Sequence, residues 1–539
     1  MAPKASGSTS AQYVEAFSSI DPESFDWTSF ESSYKGRALI TRLLHAPTVI
    51  LQSKTIPSDP SHPALVLARQ ALIRAIHLIK TYTWDWQTYV RACFLLRRSL
   101  DPTGAHPVAE GADETWEGQP GVLNEREGWP DTEWVNQTRD MAKKEDGRLD
   151  VELRGYMSNL IKESIRLTWL AFAELSIKTG NAQNAARWYD RSKEYSTGQQ
   201  HHLDAGLGLL DLAMSFNQLS TLPGNISKVE ATLDRLHPPP GPSSAVPQDA
   251  RTTAGDVREG REREARAAAV RKSIGIRLRV ARGLVALADR DFARAGRELG
   301  DLCENGMLGD WRGVCISSDD VALISVLCIL ATGTRDRIRA KLVDRPVFRA
   351  TLNDSGNWIL PLVNSFLGAR YDQVSSILKS KEAYILLNPF LSPHCETLFA
   401  SIQRDSMVQY VLPYSSVQIA TMAQAFEMDQ NAMIAALETL IVDGSIRGKI
   451  NLIDGILELK APDQRAQLFL KVLETGQKTS QITQAAHFRL LLHESGITVD
   501  PRPKENHGYA MGPSDGLELD KVVDNASGST KEGEVIEMA

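Results

Sequence analysis

The sequence predicts an all-α helical-repeat array that gives way, near residue 413, to a small helix–helix–hairpin module and a long closing helix. Three observations carry this. Apolar residues recur at helical spacing through most of the chain. Small and aromatic residues return at matching positions in two helix pairs, around Trp169–Ser192 and Gly283–Leu299. Only after Ser445 do short apolar runs read as strands, and there a tight-turn pair, Asp454-Gly455, separates them.

The chain has 539 residues, 42% hydrophobic and 24% charged, enough for a sizeable core and for several domains or one repeat array. Its 60 Lys and Arg against 67 Asp and Glu give a net charge of −7, a poor balance for a general binder of nucleic-acid phosphates. Five cysteines (Cys93, Cys303, Cys315, Cys328 and Cys395) include no CxxC pair and form no disulfide framework. That usage fits a reducing compartment, so cytoplasm and nucleus are the expected locations. The start has no apolar signal-peptide core, and the longest apolar run, Val321–Ala331, is about half a membrane span. A buried helix accounts for it better.

In chain order, residues 1–20 are small and polar and read as a disordered N-terminus. A helical-repeat solenoid is expected over 21–236. Its first helix pattern runs from Tyr34 to His45, where Pro47 should stop it. Further helices fall at about 64–82 and 86–100, then a loop at 101–131 rich in Pro, Gly and acidic residues. Helices resume near Leu153. The proline run opening 237–256 reads as a disordered insertion. Arginines over 258–282 are interleaved with Glu259, Glu262 and Glu264, which suits a solvated helix face. Helical repeats are expected to continue over 257–412.

Trp169, Ala173, Gly180, Ala185, Tyr189 and Ser192 match the tetratricopeptide pattern, and Gly283, Ala286, Ala295 and Leu299 repeat part of it. Small residues let paired helices approach, and each pair buries its apolar face only against the next, so a curved solenoid follows. The module at 413–461 reads as a winged helix. Ser415 or Ser416 can cap a helix bearing Ile419, Met422, Ala423 and Phe426. Asp429 can cap a second bearing Met433, Leu437, Leu440 and Ile441, with Gly444 just past its end. Strands follow at Ile446–Ile450 and Ile456–Leu459. A final helix lies within 462–495, and 496–539 reads as a disordered tail.

No phosphate loop, GxGxxG after a strand, HExxH or His-x-His is present. His201 and His202 are adjacent and diverge around a helix, so they cannot chelate one ion; His487 and His493 lack a partner at ligand spacing. No catalytic, cofactor or metal residues are therefore assigned. The second helix of the winged module, Asn431–Val442, carries no Lys or Arg and does not suit base reading. Protein docking is the better reading. The candidate partner-binding residues are Ile446, Arg447, Lys449 and Ile450 on the wing, and Leu468, Phe469, Val472, Leu473, Ile482 and Leu490 on the last helix.

Solenoid, winged helix and trailing helix together resemble the PCI-domain family, and its signalosome branch in particular. The resemblance rests on Tyr34-x-Gly36, Ile40-x-Arg42-Leu43, Pro47-Thr48, Leu149-Asp150 with Asn159 and Ile161–Arg166, Asp320-Val321-Ala322 with Leu327-Cys328 and Leu330–Thr332, Leu391-x-Pro393-His394, Gln409-Tyr410, Pro413-Tyr414, Met422-Ala423-x-Ala425-Phe426 and Asp463–Arg465. It covers roughly residues 30–480. It implies a non-catalytic scaffold of the complex that removes the ubiquitin-like modifier Nedd from cullins of RING ubiquitin ligases. Winged-helix edges and a C-terminal helical bundle would join it to the other subunits, with cullin-RING ligases as indirect partners and neither nucleic acid nor membrane involved. A scaffold of the proteasome regulatory lid is the related alternative, and a nucleic-acid-binding winged-helix protein a more distant one.

Overall fold

The computed structural model describes residues 7–18, 25–52, 57, 59–100, 130–236, 254–305, 308, 311–344, 348, 357–459 and 464–495. Its helices are α1 Gly7–Ser18, α2 Trp27–Ser32, α3 Arg37–Gln52, α4 Pro63–Tyr82, α5 Trp86–Leu100, α6 Thr132–Ser158, α7 Lys162–Lys178, α8 Ala182–Glu194, α9 Gln199–Ser215, α10 Leu222–Leu236, α11 Ala254–Ala288, α12 Phe292–Asn305, α13 Ser318–Thr332 and α14 Arg335–Ile338. They continue as α15 Ile359–Leu367, α16 Tyr371–Leu386, α17 Cys395–Val411, α18 Ile419–Ala425, α19 Gln430–Val442 and α20 Gln464–Glu494. Strands β1 Ser416–Gln418, β2 Gly448–Asn451 and β3 Ile456–Leu459 form a sheet in the order β1-β3-β2. The described residues fall into two units divided within the hairpin: those up to Ile446 together with Ile450–Leu457, and Arg447–Lys449 together with Glu458 onward.

In the first unit, α6 to α13 pack each on the next, as a solenoid requires. One turn recurs at its corners. Leu160, Gly180, Asn217 and Arg290 all adopt left-handed backbone, as do Ala369 and Glu427 further on. At each, the left-handed residue's N–H bonds three residues back and the next N–H bonds five back, closing a Schellman cap. Two of these corners are in register with the repeat legible in the sequence. Ala173 and Gly283 lie seven residues before Gly180 and Arg290, and Ala185 and Ala295 five after. Ala185 and Ala295 have no exposure at all. A Cβ on Gly283 would sit 2.6 Å from Leu299, and the Gly180 position faces the buried Asp85 carboxylate, so close approach adds to backbone freedom in fixing that glycine.

The apolar run at Val321–Ala331 is α13, buried on every side. Ser317 opens it with a capping box: Asp320 N donates to Ser317 Oγ at 3.1 Å and Ser317 N to Asp320 Oδ2 at 3.2 Å. The same carboxylate ties distant parts of the chain together. Tyr34 Oη donates to it at 2.8 Å, Asn388 Nδ2 at 2.9 Å, and Arg42 of α3 pairs with it at 2.8 Å. The Arg42 guanidinium also lies 4.2 Å from the Tyr34 ring centroid and 5.5 Å from that of Phe390. Beside this cluster, Lys35 N donates to Gly313 O at 2.8 Å. The N-terminal helices are thus folded back onto the middle of the chain.

Several expectations need correction. Residues 1–20 do not all read correctly as disordered: α1 is a helix whose Tyr13, Ala16 and Phe17 are buried against α3, α4 and α16. Its short apolar stripe is stabilised by that groove, which local composition does not reveal. Pro47 does not end α3, which runs to Gln52, because burying Ile50 and Leu51 offsets the roughly 3 kcal/mol that the missing N–H and the ring's clash with the preceding turn cost together. Ser416 lies in β1 and does not cap α18, whose N-cap is Gln418. The expected wing strand Ile446–Ile450 starts two residues later and ends one later, at Gly448–Asn451. Of the expected loop 101–131, residues 101–129 lie outside the described residues; Asp131 caps α6 through Trp134 N at 3.1 Å. Residues 237–253 and 496–539 also lie outside them. The arginines of α11 pair across to its neighbours, Arg271 with Asp234 at 2.6 Å and Arg282 with Glu230 at 2.9 Å.

Removing Asp320 strands a buried cation. Asp320→Ala should cost about 3–5 kcal/mol, and adding Arg42→Met should restore only part of it, because Tyr34, Asn388 and the Ser317 amide still lack their acceptor; chemical denaturation of wild type, the two single variants and the double variant checks this. His45 supplies a pH dependence. Its Nε2 lies 3.1 Å from Tyr13 Oη and 2.8 Å from Ser392 Oγ, and burial, then the charge of Arg42, lower its pKa from 6.5 to about 4. The unfolded chain therefore binds a proton that the folded chain refuses between those values. Stability should fall as pH drops from about 6.5 towards 4, by up to roughly 3 kcal/mol. A His45→Gln variant melted across that range should lack this part of the slope.

Candidate functional site

Helices α18 and α19 enclose the module's own core: Ile419, Met422, Ala423, Phe426, Met433, Leu437, Leu440, Ile446 and Leu457 are all buried. The α19 N-cap is Asp429, although its side chain makes no cap bond, and Gly444 takes the left-handed position just past the helix end. The module is welded to the array before it. Phe426 stacks on Tyr371 of α16 with ring centroids 5.2 Å apart and planes 7° from parallel, and Tyr410 of α17 meets Phe426 at 5.7 Å. Arg404 donates to Ser445 Oγ at 2.7 Å and pairs with Asp443 at 3.5 Å.

The outward side of α19 carries Asn431, Ala432, Ala435, Glu438, Thr439 and Val442, with no cation to meet a phosphate. Among the wing residues proposed for docking, Arg447 and Lys449 are exposed and Ile450 is half-buried. Ile446 is a correction. It is 4% exposed and its N–H bonds to Leu440 O at 3.1 Å, so it closes the core and offers nothing to a partner. The sequence reading placed it in a strand at Ile446–Ile450, but the strand begins only at Gly448. Two docking candidates were missed by the sequence reading: Leu452 and Ile453 at the wing tip, 71% and 96% exposed. Their signal was a pair of branched aliphatics beside a turn, where polar residues are usual.

The second unit contains α20, a 31-residue helix. Leu468, Phe469, Val472, Leu473 and Leu490 are exposed, and Ile482 is partly so. Sequence reading also missed Leu470, Phe488 and Leu491, which are exposed as well. The pattern has a spacing. Leu470 and Phe488, Val472 and Leu490, and Leu473 and Leu491 are each 18 residues apart. Eighteen residues make five helical turns, so two apolar clusters face the same way about 27 Å apart, with the polar stretch Glu474–Gln481 between them. Gly476 does not interrupt the helix.

No group of three His, Cys, Asp or Glu side chains among the described residues could hold a metal ion. The buried thiols of Cys315 and Cys328 are pushed up to about 12, mainly by burial, and are held as unreactive thiols. No helix among the described residues is long and apolar enough to cross a membrane.

Residues 131–341 match the family described as 26S proteasome subunit RPN7, and residues 378–461 the PCI domain. The first match opens at the α6 cap, and the second spans the winged module with part of α16 and all of α17. The chain thus carries a PCI domain behind an RPN7-type helical array. In sequence it is similar to COP9 signalosome subunit 1 proteins. It is 28% identical to COP9 signalosome complex subunit 1 of Arabidopsis thaliana over 68% of this chain and 75% of the relative. It is 26% identical to subunit 1b of Drosophila melanogaster over 76% and 72%. The 26S proteasome non-ATPase regulatory subunit 6 of Oryza sativa matches at 24% over only 37% of this chain and 50% of its own length.

Leu437 is fully buried and its neighbour Glu438 exposed. Leu437→Asp should lose several kcal/mol, the cost of an unpaired buried carboxylate, whereas Glu438→Lys should change stability by less than about 0.5 kcal/mol. Thermal melts of the two variants check the phase of α19.

Proposed function

We propose that the chain is a non-catalytic scaffold subunit of the COP9 signalosome, supporting assembly of the complex that removes Nedd from cullins of cullin-RING ligases. The observation that carries this is the extent of its similarity to signalosome subunit 1 proteins, about seven-tenths of both chains for the Arabidopsis and Drosophila relatives. The architecture suits the role. The solenoid gives a rigid arm, the winged module a sheet edge for strand addition, and α20 a helix with apolar clusters that partner helices can cover. A lone helix of this length with so much exposed apolar surface is marginal in water, which supports a bundle as its setting. Contacts with cullin-RING ligases are then indirect, through the assembled complex. We place the protein in cytoplasm and nucleus, in keeping with its cysteine usage. Chemistry on the modifier is assigned to another subunit, because this sequence lacks a His-x-His ligand set.

Co-expression with the remaining signalosome subunits tests this. The full chain should co-purify with them, and a chain lacking 464–539 should melt cooperatively yet fail to enter the full complex, a wing-dependent subcomplex persisting. Co-purification with lid subunits alone would favour the proteasome alternative. The isolated chain should not cleave a neddylated cullin; chelator-sensitive cleavage by it would overturn the non-catalytic assignment.

A further inference from the structure

We propose that a half-open cavity in the first unit, beside the Asp320 cluster, binds an arginine side chain of a partner protein. The cavity has a volume of about 560 Å³ and lies between α2, the starts of α13 and α15, and α16. That volume falls within the range of built ligand sites and leaves room for residues flanking the arginine. Five aromatic side chains among the described residues line it: Phe25, Phe30, Tyr34, Trp358 and Tyr384. Phe25 and Tyr34 are buried in its wall, whereas Tyr384 is 40% exposed at its mouth. Leu323, Ile359 and Leu387 add aliphatic surface. The described lining also carries three carboxylates, Asp26, Asp319 and Asp320, against one ammonium, that of Lys381. Asp320 is spent on Arg42, and Asp26 is the carboxylate placed to meet a ligand. It is exposed, and it accepts from Thr28 Oγ1 at 2.6 Å and from Thr28 N and Ser29 N at 3.1 Å, all on Oδ1. Those bonds, the Thr28 hydroxyl's first, hold its carboxyl below the usual range, so it is charged at neutral pH, and Oδ2 is the oxygen a ligand would meet.

The lining selects the ligand. Aromatic faces and a carboxylate together favour a cation. An anion would have to approach Asp26 with only Lys381 in return, whose Nζ already lies 5.1 Å from the Tyr384 ring centroid. Arginine suits the site better than lysine. Its flat guanidinium stacks on rings, sheds water more readily and gives a carboxylate two parallel bonds. The chain uses this pairing twice beside the cavity. Arg42 lies 4.2 Å from the Tyr34 ring centroid and pairs with Asp320 at 2.8 Å. Arg74 lies 4.8 Å from that of Trp27 and pairs with Glu31 at 3.2 Å. The cavity presents the same two parts, rings and a carboxylate, with no arginine among its described lining residues. Its aliphatic walls suit apolar residues on either side of the incoming arginine. The site is separate from the wing and from α20, so it goes beyond the scaffold reading and does not depend on it.

Calorimetric titration of the full chain with the capped tripeptides Leu-Arg-Leu, Leu-Lys-Leu and Leu-Glu-Leu tests this. The arginine peptide should bind saturably and about fivefold or more tighter than the lysine peptide, and the glutamate peptide should not bind. Asp26→Asn keeps the α2 cap, because Asn caps as well as Asp, but removes the charge; it should weaken the arginine peptide about tenfold. Lys381→Glu should tighten it about threefold or more. Both variants should melt like wild type. A photoreactive form of the arginine peptide, which needs no variant, should label residues 25–34 or 381–387. Labelling only elsewhere, or affinities within about twofold of wild type in both variants, overturns the cavity. Equal binding of the arginine and lysine peptides overturns the guanidinium assignment. Preference for the glutamate peptide, lost in Lys381→Glu, overturns the choice of a cation. No saturable binding of the arginine peptide up to about 1 mM overturns the proposal as a whole.

Discussion

One buried carboxylate organises the first unit. Asp320 receives Tyr34, Asn388, the Ser317 amide and the Arg42 guanidinium, groups up to 286 residues away in sequence. A charge in that position is costly unless every lone pair is used. The segments holding those donors are therefore constrained together: the turn before α3, the start of α13 and the turn after α16. The residues involved include several on which the family resemblance rests, Tyr34, Arg42 and Asp320.

That constraint shapes how the protein can act as a scaffold. A solenoid free at its N-terminal end would be stabilised only by nearest neighbours. Here α1 and α3 lock onto later helices, with α1 against α16 and α3 against α9, and Arg42 reaching α13. The aromatic contacts of Phe426 with Tyr371 and Tyr410 then continue that rigid body into the winged module. The placement of α18 on the array is therefore fixed by packing within the first unit, which is what a part that aligns neighbours in an assembly needs.

The surface chemistry is divided by role. Some cations of the array are spent on pairs between its helices, as Arg271 with Asp234 and Arg282 with Glu230. Large exposed aliphatic and aromatic side chains collect at the wing tip and along α20. Surface of that kind is a liability for a free monomer and a resource for an obligate subunit.

Local periodicity determined a great deal by itself. It placed most of the helices, the repeat that pairs Ala173 with Gly283 and Ala185 with Ala295, and the inward phase of Met433, Leu437 and Leu440. These are legible because helix phase and close packing each impose a residue type at a fixed spacing. The breadth of apolar surface on α20 was partly legible, but a search for one stripe passes over Leu470, Phe488 and Leu491. Other features depend on partners far away in sequence and only the tertiary structure decided them. Composition marked 1–20 as disordered, yet a groove formed by α3, α4 and α16 holds α1. Pro47 is a local stop signal overruled by the burial of Ile50 and Leu51. Ile446 looked like a docking residue until the start of β2 at Gly448 left it in the core. In the sequence Asp320 stands only as part of the Asp320-Val321-Ala322 stretch; its role appears when Arg42, 278 residues earlier, is brought within 2.8 Å.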